Sequence, residues 1–379
     1  MEALFWVSFL AVFYTYFGYP LILMLLGAVL RRGADDAGAD AAAVGGFSIT
    51  VLIPAHNEAS VIGAKIENTL ATRYPGPMQL VVVSDGSVDG TGDIVRQFET
   101  DSRLCFIDLP ERKGKGNALN QGIAAATGDI VVFSDASIML DDDALIEIVR
   151  PFADEQIGCV SGEDMIEGGA GEGLYGRYEL YLRNQESRVG SIVGASGSFY
   201  AQRRSIVPEF PEGIAPDLLS VLHTVTQGYR AISCPAARGY MTAVADSRDE
   251  FQRKVRTVIR GMTAIFKRKA LLNPLRYPVF SLFLLSHKVM RWCVPFFLLG
   301  MLLASALLLP SPIYMVALVG QLIFYAVAFI AWQREGKVEP SMLSKVALFF
   351  TISNVAIFIA WVRYLRGVRQ EIWTPSRRT

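Results

Sequence analysis

The chain has 379 residues, 52% of them hydrophobic and 19% charged, with a mean hydropathy of +0.34 and the apolar excess gathered at its two ends. That balance describes a membrane protein with a soluble middle, and the length allows one large domain plus a second part. Thirty-six basic residues match thirty-six acidic ones, so no global charge favours nucleic acid, and none is expected as a partner.

Ala3 to Leu30 is almost wholly apolar, broken by Ser8, Thr15 and a Gly18-Tyr19-Pro20 turn signal, and ends at Arg31-Arg32. It is long enough to span a bilayer. Glu2 ahead of it and arginines after it argue against a cleaved signal peptide, so residues 1–32 read as an N-terminal transmembrane anchor with the next part of the chain in the cytoplasm. Residues 33–46, rich in Ala, Gly and Asp, read as a linker.

From Ser48 the pattern alternates. Ser48–Ile53, Gln79–Ser84, Leu104–Leu109 and Ile130–Ser134 read as strands, and Ser60–Tyr74, Gly90–Thr100 and Gly114–Thr127 as helices between them. Repeated βα units predict an α/β fold, a Rossmann-like and mainly parallel sheet with helices on its faces. Polar residues gather where the strands end: Pro54 to Glu58, Asp85-Gly86-Ser87 and Asp135-Ala136-Ser137. In such sheets ligands bind beyond the carboxyl ends of the strands, so one crevice could collect all three, with Asp135 a candidate for holding a metal ion or polar substrate. Neither a P-loop nor a dinucleotide fingerprint follows a strand. Cys105, Cys159, Cys234 and Cys293 lack metal-ligand spacing and read as buried thiols.

Ile53-Pro54-Ala55-His56-Asn57-Glu58, Val83-Ser84-Asp85-Gly86-Ser87-Val88-Asp89-Gly90-Thr91, Gly114-Lys115-Gly116-Asn117-Ala118-Leu119-Asn120 and Phe133-Ser134-Asp135-Ala136-Ser137 resemble, in order and spacing, the nucleotide-sugar half of the family-2 glycosyltransferases with the GT-A fold. The resemblance continues, less specifically, through Gly194–Arg204, Pro216-Asp217 and the apolar segments, as in bacterial membrane-embedded members that build exopolysaccharide. It implies a cytoplasmic GT-A catalytic domain over residues 47–250 in a bacterial inner membrane protein.

Beyond the motifs, Tyr175, Tyr178, Tyr181 and Leu182 fall at helical spacing, so Glu172–Ser187 reads as a helix whose aromatic stripe serves core packing or sugar stacking. Gly194–Ser198 reads as a small-residue turn, placing Gly197 and Ser198 on the acceptor side. Phe251, Val255, Val258, Ile259, Met262, Ile265 and Phe266 mark one face of an amphipathic helix, with Arg253, Arg256, Arg260 and Lys267 opposite. Residues 251–276 therefore form an interface helix, lying on membrane lipids or packed beneath the domain. Residues 277–379 hold apolar segments at Val289–Leu309, Ile313–Trp332 and Val346–Val362, about three spans, and a basic tail. Three crossings would put that tail outside, whereas Arg363, Arg366, Arg369, Arg377 and Arg378 favour the inside; a re-entrant or interfacial last segment, or a misplaced boundary, would reconcile the two.

By resemblance, Pro54, Glu58, Asp85 and Lys115 hold the nucleotide, and Asp135 binds Mg2+ or Mn2+ bridging the diphosphate, a hard cation that one or two carboxylates suffice to hold. Ser137 stands where the family's second metal carboxylate would be, and His56 where many members have tyrosine. Arg253, Arg256 and Arg260, with Lys254, are placed to meet charge on the leaving diphosphate. Asp217 corresponds to the catalytic base; its bland reading is an N-cap of a helix over Leu218–Gln227. Asp164, beside Glu163, is the second candidate. The processive signature Q-x-x-R-W is not met by Gln252 and Arg256, while Arg291-Trp292 comes after His287-Lys288.

The implied reaction is inverting transfer from a nucleotide-diphosphate sugar, with a UDP sugar the expected donor, to a saccharide or lipid-linked saccharide. The alternatives are a polyprenyl-phosphate monosaccharide synthase and a non-catalytic scaffold or nucleotide sensor.

Overall fold

The computed structural model describes residues 1–29, 44–167, 170–242, 247–334 and 341–368. Eight strands form its centre: β1 (Ile49–Ala55), β2 (Met78–Asp85), β3 (Leu104–Leu109), β4 (Ile130–Ser134), β5 (Met139–Leu140), β6 (Ile157–Glu167), β7 (Phe199–Arg203) and β8 (Arg230–Thr242), in the order β3-β2-β1-β4-β7-β6-β8-β5. Between the first four lie α2 (Ile62–Ala71), α3 (Thr91–Arg96) and α4 (Lys115–Ala125). These strands pair in parallel, as the alternating pattern predicts. Every residue of β1 is buried, and neighbours part to opposite faces: Leu52 joins one core with Val81 and Val131, Val51 and Ile53 the other with Val82 and Val132. On α4, Gly122 lets the helix sit directly on Leu52, whose methyl would lie 2.1 Å from an added Cβ.

The sheet is mainly parallel, with two strands reversed. Strand β7 runs antiparallel to β4 and β6, and β5 to β8, while β6 and β8 are parallel with two register shifts. Past β4 the regular βα alternation stops: α5 (Ala144–Val149), α6 (Ala170–Val189) and α7 (Pro216–Thr226) separate strands of both directions. Of the linker, residues 33–43 lie outside the described residues, whereas Val44 is already buried in the core.

Four helices are long and apolar enough to cross a membrane: α1 (Glu2–Val29), α9 (Pro278–Leu307), α10 (Pro312–Gln333) and α11 (Met342–Leu365). Gly18-Tyr19-Pro20 makes no turn; α1 runs through it by widening to a π turn at Tyr14–Gly18, which accommodates a proline ring that cannot continue the regular ladder. The first C-terminal segment begins at Pro278, ahead of the expected Val289, and contains a second π turn at Leu284–Met290. One domain core is continuous with this bundle, since Tyr19, Leu23, Phe280, Phe283 and Trp292 belong to the same cluster as Leu52 and Val131.

The amphipathic helix α8 (Ser247–Lys267) buries Val255, Ile259, Met262 and Ile265 as its periodicity predicts. Part of that face is covered by α11: Val255 and Ile259 meet Ala356 and Ala360. Contacts run in step from Lys254 over the Phe349 ring (4.1 Å) to Phe266 beside Tyr364 (5.6 Å). That stretch of α11 covers about 22 Å at 1.5 Å per residue without leaving α8. Phe5, Ala304 and Tyr314 cluster at the far end of the bundle, whereas Ala328 and Trp332 of α10 share a cavity with Phe251 and Gln252 of α8. Thus α9 leads away from the α/β domain, α10 returns, and α11 lies along α8. Its end, with Arg363 and Arg366, stays on the domain's side; Arg369, Arg377 and Arg378 lie outside the described residues.

Candidate active site

Asp135 sits just past β4, its amide donating to Ser198 O (2.9 Å), so the loop after β4 is tied to the turn before β7. Lys115, the first residue of α4, reaches across with Nζ 2.5 Å from Asp135 Oδ1. These two, with Pro54, Ser134, Gly197 and Pro216, line a space of about 10 Å³, room for about one water. Ser134 Oγ is buried there without a hydrogen-bond partner. The structure thus brings together four expected site residues, Pro54, Lys115, Asp135 and Gly197, and adds Ser134 and Pro216. Ser198 contributes its carbonyl, and Ser137 is half-buried two residues beyond Asp135.

Asp85 is buried, and its two carboxylate oxygens accept from Lys113 N (2.9 Å) and Gly114 N (2.7 Å). It orders the glycine loop that opens α4, and its own carbonyl accepts from His56 Nδ1 at 2.7 Å. Gly86 continues this turn with φ +61° and Arg112 N only 2.4 Å from a would-be Cβ, so no side chain fits. Glu58 is half-buried at the neighbouring loop, its amide bonded to Thr91 Oγ1. From the other side Glu212 accepts from Asn117 N at 2.9 Å, closing over the same loop.

Asp217 is not an N-cap. Ala215 holds that position with no capping side chain, Pro216 is the first residue of α7 and Asp217 the second. Its half-buried carboxylate has no hydrogen-bond partner among the described residues. Three cations from separate elements feel it. Burial lowers the Arg260 pKa, opposed by the carboxylates of Asp217, Glu212 and Asp135. Burial likewise lowers that of Arg183, opposed by Asp164, Glu163, Glu186 and Asp217. Lys288 on α9 also interacts with Asp217 and lies beside Gly194, its Nζ 3.6 Å from a would-be Cβ. Arg260 is anchored by Nη2 to Ile214 O (2.8 Å), with Nε left unpartnered. Arg253 and Arg256 are half-buried on the same helix. Asp164, the second candidate, accepts from Ser196 Oγ.

Sequence reasoning missed Arg183, Glu212, Lys288 and the fully buried Lys65, whose Nζ donates to Ile138 O (2.6 Å) beneath the Asp135 loop. Only Lys288 carried a signal, being a charge inside an apolar segment of spanning length. The aromatic stripe of α6 divides: Leu182 is core, Tyr181 is exposed, and Tyr178 donates to Tyr16 O of α1 at 3.0 Å.

Strand ends converge here on a carboxylate, a lysine and a glycine loop that opens a helix, on a sheet of the GT-A kind. Residues 50–210 match the family model described as Glycosyl transferase family 2, and they form a domain of that family. Poly-beta-1,6-N-acetyl-D-glucosamine synthase of Staphylococcus aureus (strain COL) is 28% identical over 206 residues, 51% of this chain and 49% of that protein. The Staphylococcus epidermidis protein of the same name is 27% identical over 170 residues, 42% of this chain and 40% of its own. The chain spans about half the length of the curated relatives it matches. A solved structure, "Mannosyltransferase PcManGT from Pyrobaculum calidifontis in complex with GDP-Man and Mn2+", aligns over 96% of this chain and 99% of that one with TM-score 0.73 and 25% identity. The likeness therefore extends through the membrane helices.

Proposed function

We propose that the protein is a membrane-embedded, inverting glycosyltransferase that takes a sugar from a nucleotide-diphosphate donor to a saccharide or lipid-linked saccharide. Its catalytic domain faces the cytoplasm of a bacterial inner membrane. The observation that carries this reading is the carboxylate of Asp217, which follows Pro216 of the Asp135–Lys115 cleft, has no hydrogen-bond partner among the described residues and lies within electrostatic reach of Arg183, Arg260 and Lys288. Asp217 takes the proton of the acceptor hydroxyl as its oxygen attacks the anomeric carbon, and the bond to the diphosphate oxygen breaks with its electron pair. One base and one displacement invert the centre; no second carboxylate is needed as nucleophile. Lys115 and Arg260 face the departing charge, with Arg253 and Arg256 along the same helix. Donor entry parts Lys115 from Asp135, because the closed space admits no more than a water.

The donor set fits a magnesium or manganese ion. One Asp135 oxygen is free of Lys115, the Ser137 hydroxyl comes two residues on, and no cluster of three acidic, His or Cys side chains exists among the described residues. Such ions accept one carboxylate when phosphates and water supply the rest. When bound, the ion would neutralise diphosphate charge. The Pyrobaculum calidifontis mannosyltransferase, solved with GDP-Man and Mn2+, supports a nucleotide-sugar donor and a divalent ion; a UDP sugar is proposed as donor from the motif resemblance.

The test is nucleotide release by detergent-purified protein with UDP-, GDP- and TDP-sugars, with acceptor and with or without Mg2+ and Mn2+. Metal- and acceptor-dependent release is expected. Tight nucleotide binding without release from any donor would identify a scaffold or sensor and overturn the reading.

A further inference from the structure

A cavity of about 770 Å³ lies among α1, α9, α10 and α11, outside the cleft at Asp135 and Lys115. That is within the range of sites for sizeable organic ligands. Its walls are almost entirely apolar and aromatic, among them Phe9, Leu298, Met301, Val316 and Phe350. From Arg291 to Met301 on α9 it extends about 15 Å at the helical rise. One end differs: Arg291, 7% exposed, lines it together with Tyr175 and Tyr178.

Arg291 is only partly satisfied by protein. Nη1 donates to Glu179 Oε1 and to Tyr175 OH (2.7 Å), and the guanidinium carbon lies 5.6 and 5.7 Å from the centres of the Tyr175 and Tyr178 rings. Nε and Nη2 are buried with no partner. Buried guanidinium N–H groups are normally bonded, and two left open at the mouth of an apolar cavity are donors waiting for an anion. One helical turn before it stands Lys288, beside Gly194 and within electrostatic reach of Asp217. Arg291 at the cavity and Lys288 near the proposed base are thus three residues apart on α9.

We infer that this cavity holds the isoprenoid or acyl chain of a lipid-linked acceptor, with the lipid's phosphate at Arg291 and its saccharide directed past Lys288 to Asp217. This rests on the glycosyltransferase reading and narrows its acceptor to a lipid phosphate ester. A free polysaccharide would leave the apolar walls unmatched and its own hydroxyls without partners. Gly320 and Ser353 line the cavity from α10 and α11, and nothing lies within 4 Å of a Cβ added at Gly320. Phenylalanine at either position fills the space without touching Arg291.

The test is equilibrium binding of farnesyl phosphate and farnesol to the detergent-purified full chain, with no donor present. The wild type should bind the phosphate at least tenfold tighter than the alcohol. Arg291→Gln should abolish that preference and Arg291→Lys restore part of it. Gly320→Phe and Ser353→Phe should each weaken both ligands at least tenfold. Equal binding of phosphate and alcohol by the wild type, or unchanged binding in both phenylalanine variants, would overturn the inference. So would displacement of farnesyl phosphate by phosphatidylglycerol nanodiscs at lipid ratios where phosphatidylcholine nanodiscs do nothing, which would mark a bulk-phospholipid crevice. Failure of the glycosyltransferase reading shows separately, as absent UDP or GDP binding in a wild type that still binds farnesyl phosphate.

Discussion

Replacing Asp217 by Asn separates a chemical role from a structural one, because the geometry limits what structure alone can lose. At the second position of α7 the carboxylate caps nothing and makes no hydrogen bond among the described residues, so its local contribution to the helix is a charge in the first turn, about 0.3–1 kcal/mol, beside its balance of Arg183, Arg260 and Lys288. For a domain of about two hundred residues that is a fall in Tm of a few degrees at most. Loss of a positioned base costs about 10²–10⁴ in rate, or about 2.7–5.5 kcal/mol of barrier. The local charge and the base differ in magnitude, and thermal unfolding reads separately any loss of balance for Arg183, Arg260 and Lys288. The assay pairs single-turnover transfer from a nucleotide sugar with thermal unfolding in detergent and calorimetry of nucleotide diphosphate binding. Transfer should fall at least a hundredfold, unfolding should shift by a few degrees or less, and nucleotide binding should persist, since Asp217 lies outside the loops around Asp85 and Lys115. Wild-type transfer by Asp217→Asn would remove it from the mechanism and return attention to Asp164. A loss of transfer accompanied by collapse of the melting transition would show instead that Asp217 balances Arg183, Arg260 and Lys288.

Asp135→Asn should abolish metal-dependent turnover in a protein that still folds, and Ser137→Asp should tighten the apparent affinity for Mn2+ in a turnover titration; unchanged titration would mean Ser137 faces away. Arg260→Ala should lower turnover at least tenfold and leave membrane association intact, because α1, α9 and α10 anchor the chain; wild-type turnover would reduce the cationic stripe to an interface face. Lys65 is wholly buried, and burial, partly offset by Asp135, depresses its pKa to about 7 from the ordinary lysine value of 10.5. The unfolded chain therefore binds more protons than the folded one between these values, so this residue makes stability rise with pH from about 7 to about 10.5. Lys65→Met should flatten that rise in thermal unfolding curves, and an unchanged slope would refute it. A single cysteine at Val368, beyond α11, should be labelled from the same membrane face as one at Val88 in the catalytic domain; labelling from the opposite face would mean that α11 crosses.

How much the sequence discloses depends on the range of the interactions involved. Strands Leu104–Leu109 and Ile130–Ser134 appear at their expected limits because both are written as nearly unbroken apolar runs, the second fully buried and the first at the sheet edge. The loops at their ends carried recognisable motifs. The second half of the sheet was not legible, since β6 and β8 mix small, polar and apolar residues and acquire their pairing from distant partners. Gly18-Tyr19-Pro20 misled for a related reason: local chemistry says turn, but a helix packed along α9 keeps its course and absorbs the proline in a wider turn. The Asp217 cap was misplaced because Pro216 suits the first helical position and so draws Ala215 into the cap.

The cations around Asp217 show how the two halves of the molecule depend on each other. Arg183 comes from the helix after β6, Arg260 from the interface helix and Lys288 from the first helix of the C-terminal bundle, separations of 77 and 28 residues that no periodicity spans. No one of them marks a site; an arginine on an amphipathic helix is usually a solvated charge. Together they bear on the carboxylate proposed as base, and two of the three belong to elements outside residues 50–210, the stretch that matches the family-2 model. On the proposed function, the nucleotide half of the chemistry would be built by the sheet and the acceptor half completed by elements that pack against the apolar helices. The acceptor would then be met where those helices meet the domain, close to the cavity that Arg291 lines.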